Sequence, residues 1–295
     1  MSRHLALAEK ACAFLTQATD PFHAVAAGIQ KLQAAGFVPY ENNSLQKGGK
    51  YYYVVHHSTL VAFAVGGAYE PGKGGFHIIG GHTDSPNLRV KPRSRKQGSG
   101  YVQLGVECYG GGLWHTWFDR DLSISGKVLV RQDSGKLRHE FVQLEDPIAR
   151  VSTLCIHLQS ADERQAFKVN KEDHTSPILG MPNVELEEEL TKQVQGDAWR
   201  ENHEPRLLQR IAEKLGVRVN QIADFDLSLY DTQPACIGGI NKEFLYSGRL
   251  DNLATVFCAL EAIVEHTEDV SSDKDIKLIA CFDHEEYVGG RWRGL

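Results

Sequence analysis

The sequence of 295 residues predicts an α/β domain that is interrupted by a β-rich insertion. Three observations support this fold class. Helix-like and strand-like segments alternate at the start of the chain, short segments of alternating polarity follow, and the mixed pattern returns near the end. We therefore assign residues 1–91 and 237–295 to the α/β domain and residues 92–236 to the insertion.

Two helices and a hairpin are predicted to open the chain. Apolar side chains recur at helical spacing in residues 5–17. The second helix begins at Asp20 and Pro21, a capping residue followed by proline at the first helical position, and ends before Gly36. Two β-rich runs at residues 51–57 and 60–65 then predict a hairpin.

The residue pattern changes in the middle of the chain. An apolar run at residues 76–79 lies between glycines and predicts a buried strand of a parallel or mixed sheet. The basic residues 89–96 are expected to form a turn that leads into the insertion. Strands of the insertion are predicted at residues 101–108, 122–130 and 141–144.

The α/β pattern returns in the last third of the sequence. A helix is predicted at residues 205–215, with Gly216 ending it, and a strand at residues 225–230. An apolar helix at residues 252–266 and a buried strand at residues 276–282 follow.

Composition excludes several classes of protein. With 42% hydrophobic and 24% charged residues, the chain is predicted to be globular. Its formal charge of -6 and its lack of a basic block argue against nucleic acid, and no apolar run approaches the ~20 residues that span a membrane. Six scattered cysteines without a CxxC pair predict reduced, buried thiols and, with no secretory signal, a cytoplasmic protein.

Three clusters of histidine and acidic residues follow predicted strands or open a helix. In the first, two glycines separate the apolar run from His82, and Asp84 lies two residues further on. Active sites in open α/β sheets gather at the carboxyl ends of strands. His82 could therefore ligate a metal while Asp84 orients its imidazole. The plainer alternative is a turn in which Asp84 only caps the backbone.

The other two clusters are equally open when taken alone. Asp251 could cap the helix that follows it, or its carboxylate could bridge two metals. Glu285 and Glu286 could form a charged surface turn, or one could bind a metal while the other faces the water to be activated. Together the three clusters favour a metal site at one sheet edge, and imidazole with carboxylate suits Zn²⁺ or Mn²⁺.

These clusters resemble the successive motifs of the aspartyl aminopeptidases, the M18 metallopeptidases. The resemblance implies a metallo-aminopeptidase-type catalytic domain, interrupted by a β-rich insertion that also serves in dimerisation. It extends in family order over almost the whole chain. The segments that carry it are residues 21–25, 63–67, 82–86, 89–91, 109–114, 116–122, 231–235, 249–252 and 283–286.

The resemblance also implies a site with two zinc ions, for which manganese or cobalt could substitute. His82 would ligate one metal, Asp251 would bridge both, and Glu286 would ligate the second. Glu285 would be the general base, and Asp84 would hold His82 in place.

His157 matches a family histidine that reaches the active site of a neighbouring subunit. Without the resemblance, a half-buried histidine in a strand is an equally good interpretation. The family's substrates are peptides with N-terminal Asp or Glu, and its members form closed homo-oligomers, so both properties are expected here.

The resemblance further implies that the chain is truncated at its C-terminus. Two more metal ligands, an aspartate and a histidine, and the residues that recognise the acidic side chain are expected beyond Leu295. Parts of the helix at 252–266 and the strand at 276–282 should then be exposed, and catalysis by this chain alone should be impaired. The alternatives are an inactive fragment or pseudo-subunit that binds full-length homologous subunits, and a binding protein that kept only the fold.

Overall fold

The chain divides into two units, and the first comprises residues 1–85 and 234–295. This unit contains a mixed five-stranded sheet. The second unit comprises residues 86–233. The computed structural model describes residues 3–41 and 45–289. Both unit boundaries lie a few residues before those proposed from the sequence. At the first boundary this is because a strand of the second unit begins at Asn87.

The described elements follow in chain order. The helices are α1 (Arg3–Gln17), α2 (Pro21–Ala34), α3 (Ala161–Gln165), α4 (Val184–Val194), α5 (Pro205–Leu215) and α6 (Leu250–His266). The strands are β1 (Val38–Pro39), β2 (Lys50–Val55), β3 (Thr59–Val65), β4 (Phe76–His82), β5 (Asn87–Gly98), β6 (Tyr101–Tyr109), β7 (Leu122–Arg131), β8 (Leu137–Gln143), β9 (Ile178–Gly180), β10 (Ile222–Asp231), β11 (Cys236–Gly238), β12 (Phe244–Tyr246) and β13 (Ile276–Phe282).

The sheet of the first unit has the order β1-β2-β3-β13-β4, with β13 parallel to β4 and antiparallel to β3. Helices α1, α2 and α6 share one apolar core with it, which includes the buried side chains of Leu15, Leu32, Leu60, Leu260 and Ile279. The predicted cap of α2 is confirmed, because the Asp20 carboxylate accepts hydrogen bonds from the backbone N–H groups of Phe22 and His23.

Residues 76–79 form a strand as predicted, but the prediction that this strand is buried is wrong. β4 is the last strand of the sheet, and Phe76 and Ile78 are 60% and 63% exposed. An apolar run between glycines indicates a strand, but its burial depends on what covers that strand. Phe282 on β13 and Leu250 on α6 are exposed as well.

The second unit contains an antiparallel six-stranded sheet in the order β8-β7-β10-β5-β6-β9. Its core contains Leu88, Ile124 and Leu229 from the sheet and Ile211 from α5. The helix ends as predicted at Gly216, whose φ of 65° is the left-handed conformation that glycine tolerates.

Residues 89–96 belong to strand β5 rather than to the predicted turn. The pairing of β5 with β6 shifts register between Val90 and Arg95, so the strand does not alternate regularly. Arg93 and Arg95 are exposed, which explains why the segment resembles a charged turn in the sequence.

Two further expectations concern helices and cysteines. None of the helices within residues 3–41 and 45–289 is long and apolar enough to cross a membrane. The prediction of buried thiols holds for Cys281 and is wrong for Cys155, Cys236 and Cys258, which are exposed. A cysteine in an apolar run can still lie on an open surface, as Cys258 does on α6.

His203 is fully buried in the second unit, where it packs against two aromatic rings. The ring centroids of Trp199 and Phe225 lie 4.4 and 4.5 Å from its own, and Ser94 Oγ lies 2.7 Å from its Nδ1. Burial lowers the pKa of the His203 imidazole from 6.5 to about 4, although the charge of Asp224 opposes the change.

We expect this histidine to make the protein sensitive to acid. Between pH 6.5 and pH 4 the unfolded chain binds a proton at this position that the folded chain does not, so the free energy of unfolding falls as pH decreases. At about 1.4 kcal/mol per pKa unit, the loss is about 3 kcal/mol. Denaturant unfolding at pH 7 and pH 4 should show a correspondingly smaller loss for His203→Phe than for wild type. Equal losses in the two proteins would contradict the prediction.

Candidate metal centre

His82 stands at the carboxyl end of β4 with one ring nitrogen held by the backbone. Its Nδ1–H donates to the carbonyl oxygen of Asp84 at 2.9 Å. Because a carbonyl can only accept, Nδ1 is the donor of this bond, and Nε2 is the ring nitrogen that faces the acidic side chains. Nε2 lies 3.3 Å from Asp251 Oδ1 and 3.7 Å from Glu285 Oε2. An imidazole nitrogen and two carboxylate oxygens grouped in this way can share a proton or a metal cation.

Asp84 is fully buried and connects β4 to the turn that follows β13. Its carboxylate accepts hydrogen bonds from the backbone N–H groups of Glu285 at 3.3 Å and Glu286 at 3.0 Å. Oδ1 also lies 3.4 Å from His82 Nδ1, farther than the carbonyl oxygen that this nitrogen bonds. The side chain therefore holds the glutamate turn directly, and its predicted role in orienting His82 stays a prediction.

Asp251 lies outside the regular part of α6. Both Asp251 and Asn252 have non-helical backbone angles, and the peptide bond between them is cis. The Asp251 carboxylate is 77% exposed, and among the described residues it contacts His82 rather than a backbone N–H of the helix. The described contacts therefore do not show Asp251 as a helix cap, and its role as a metal ligand stays a prediction.

The position of this segment depends on residues to which sequence reasoning gave no role. The guanidinium of Arg249 donates to the carbonyl oxygens of Leu15 at 3.0 Å and Ala18 at 2.9 Å, at the end of α1. The Ser85 hydroxyl donates to the Asp251 carbonyl at 2.6 Å, and the His82 N–H donates to Asn252 Oδ1 at 3.2 Å. The sequence feature that could have indicated this role is their position, because these polar residues adjoin the proposed ligands within the same motifs.

The paired glutamates follow β13 through a left-handed residue, His284, whose φ is 69°. The Glu285 side chain is 61% exposed and approaches His82 as given above. Glu286 begins a short 3₁₀ turn, Glu286–Gly289, and its backbone is bound to Asp84. The structure thus brings Glu285 to the His82 side chain, while metal ligation by Glu286 stays a prediction.

His157 belongs to the second unit, where it is exposed in a turn. The alternative interpretation, a half-buried strand histidine, is therefore wrong, because the segment leaves the sheet after Val151. The nearby apolar side chains of Leu154, Ile156 and Leu158 are exposed as well. A contact of His157 with a neighbouring subunit stays a prediction.

The fit of a metal can be tested on the donor atoms. A zinc ion with tetrahedral ligands at about 2.0 Å separates neighbouring ligand atoms by about 3.3 Å, which is the distance between His82 Nε2 and Asp251 Oδ1. This pair therefore fits two positions of a zinc site. Within the described part of the chain, no group of three or more His, Cys, Asp or Glu side chains could hold a metal ion.

Comparison with known proteins gives a consistent result. The family model described as aminopeptidase I zinc metalloprotease (M18) matches residues 14–293. An aspartyl aminopeptidase from Aspergillus oryzae is 41% identical over 303 aligned residues, which include 94% of this chain and 60% of the relative. The chain thus spans about 60% of the length of that curated relative.

Solved structures show the same fold. The chain in the cryo-EM structure of the Ape4 and Nbr1 complex is 35% identical with a TM-score of 0.88, and the match covers 98% of this chain and 56% of the other. The mApe1 dodecamer of S. cerevisiae is 26% identical with a TM-score of 0.78, and the match covers 99% and 64% of the two chains.

Proposed function

The chain belongs to the M18 family of metallopeptidases, and on that premise we propose that it takes part in zinc-dependent removal of N-terminal Asp or Glu from peptides. One observation carries the proposal: Nε2 of His82 lies 3.3 Å from Asp251 Oδ1, which is a ligand-to-ligand distance, and 3.7 Å from Glu285 Oε2. Imidazole and carboxylate together suit zinc, and manganese or cobalt could replace it.

His82 and Asp251 would hold zinc, with Asp251 bridging to a second ion that Glu286 would ligate. When bound, zinc makes hydroxide available near neutral pH and polarises the scissile carbonyl. The exposed carboxylate of Glu285 accepts the proton of the attacking water and passes it to the leaving amine as the C–N bond breaks. Asp84 keeps Glu285 in place through the hydrogen bond to its backbone N–H.

The second unit would complete the site in an oligomer. His157 lies in an exposed turn beside exposed leucine and isoleucine side chains. Burial of such a surface in a subunit interface stabilises an oligomer. We propose that the chain forms homo-oligomers, since mApe1 of S. cerevisiae is a dodecamer. His157 of one subunit would then donate a hydrogen bond to the developing oxyanion in the next.

A second candidate function is favoured by the incomplete donor set. Catalytic zinc normally has three protein ligands, whereas the described residues form no group of three. In this alternative the chain is a pseudo-subunit that binds full-length homologous subunits without turning over substrate.

Zinc binding and peptidase activity of the full chain separate these candidates. If the first candidate is correct, the wild-type protein binds zinc and cleaves an Asp-initiated chromogenic amide faster than its Ala-initiated counterpart, although the predicted loss of two ligands should make this turnover slow. His82→Ala should lose zinc binding, because it removes the only imidazole that the described contacts place at the cluster. Zinc binding and co-assembly with a full-length relative, without turnover, would support the pseudo-subunit. A wild-type chain that binds no zinc would overturn the metal site.

A further inference from the structure

The Asp251 carboxylate receives little positional restraint from its surroundings. It is largely exposed, and its backbone angles of φ -86° and ψ 109° place it outside the hydrogen-bonded turns of α6. Side-chain packing and helix geometry therefore cannot hold it beside His82. Its position depends on whatever fixes the backbone of the Asp251–Asn252 segment.

Two hydrogen bonds join this backbone to the segment that carries His82. The Ser85 hydroxyl donates to the carbonyl oxygen of Asp251 at 2.6 Å, and the His82 N–H donates to Asn252 Oδ1 at 3.2 Å. Both donors belong to one four-residue segment, residues 82–85, which begins at the last residue of β4. That segment is itself anchored, because the Thr83 N–H donates to the carbonyl oxygen of Phe282 at 2.7 Å.

Ser85 is suited to fix a neighbour rather than to bind substrate. The residue is buried next to the fully buried Asp84, so little water competes for its hydroxyl. A hydrogen bond in such a place is stronger than one on the surface. Through it, the segment that presents the imidazole also determines where the carbonyl of Asp251, and hence its side chain, can lie.

We infer that Ser85 is a positioning residue that holds Asp251 at ligand distance from His82. This inference rests on the proposed zinc site. Groups that orient metal ligands typically change metal affinity by 10–100-fold when they are removed, because a displaced ligand no longer meets the ion at the required distance. Loss of the Ser85 hydroxyl should therefore affect metal binding more than its small size suggests.

The test compares Ser85→Ala with two other variants of the full chain. Ser85→Thr retains a hydroxyl. Ser123→Ala is a matched control, because Ser123 is also buried and its hydroxyl also donates to a backbone carbonyl, that of Leu144, at 2.6 Å, but in the second unit. Zinc affinity is measured by competition with a chelator, the Co²⁺ absorption spectrum reports ligand geometry, and thermal unfolding in EDTA reports stability without metal.

We expect Ser85→Ala to weaken zinc binding by about 10–100-fold and to change the Co²⁺ spectrum. Ser85→Thr should restore affinity, and Ser123→Ala should lower thermal stability to a similar degree while it leaves affinity unchanged. Unchanged zinc affinity in Ser85→Ala would overturn the role of Ser85 but not the proposed metal site. An equal loss of zinc affinity in Ser123→Ala would have the same consequence. Failure of the wild-type chain to bind zinc would overturn the proposed metal site and this inference with it.

Discussion

Asp84→Ala is expected to destabilise the chain by about 4 kcal/mol and to weaken zinc binding by about 10–100-fold. The carboxylate is fully buried and accepts the backbone N–H groups of Glu285 and Glu286. Each N–H left without an acceptor costs about 1–3 kcal/mol, which accounts for the loss of stability. The affinity falls because the turn that carries both glutamates is no longer attached to the His82 segment. Denaturant unfolding and chelator competition measure the two effects.

Asp20→Ala provides a matched control for this experiment. Asp20 is also buried in the first unit, accepts two backbone N–H groups, from Phe22 at 2.8 Å and His23 at 3.0 Å, and contacts a histidine ring through the other oxygen. Its loss removes the cap of α2 and should lower stability by about 1–2 kcal/mol. Zinc affinity should stay unchanged. An equal loss of affinity in the two variants would show that Asp84 acts only through global stability.

Local rules explain the parts of the fold that the sequence predicts well. Asp20 followed by Pro21 begins a helix, and Gly216 ends one, because capping and backbone conformation depend on a few adjacent residues. The strand predicted at residues 276–282 coincides with β13, Ile276–Phe282. Its side chains are apolar enough to identify a strand without knowledge of its neighbours.

Predictions that depended on distant parts of the chain were less successful. Residues 76–79 form a strand as predicted, but their exposure follows from the place of β4 at the end of the sheet. The sequence does not predict strand β5, because its register shift and exposed arginines remove the alternation that identifies a strand. Sheet order and irregular pairing are set by contacts between segments, which a local pattern does not contain.

The candidate site shows the same division. Convergence of His82 with the glutamate turn follows from strand ends, since β4 and β13 are parallel neighbours with His82 opposite Phe282. The direction of the imidazole does not follow from the strand ends, because it depends on the backbone carbonyl of Asp84. The bond from Ser85 to Asp251 joins residues that are far apart in sequence, so no local pattern could indicate it.

Glu285→Gln is expected to lower the zinc-dependent turnover of an Asp-initiated amide by about 100–10,000-fold. Glutamine has nearly the same shape as glutamate, but its amide cannot accept the proton of the attacking water. The side chain is largely exposed, so folding and zinc affinity should change little. Turnover and zinc affinity are measured together, and Glu268→Gln, which changes an exposed glutamate of the same unit, serves as the control. Retained turnover in Glu285→Gln would exclude it as the general base, whereas a parallel loss of zinc affinity would instead identify Glu285 as a metal ligand.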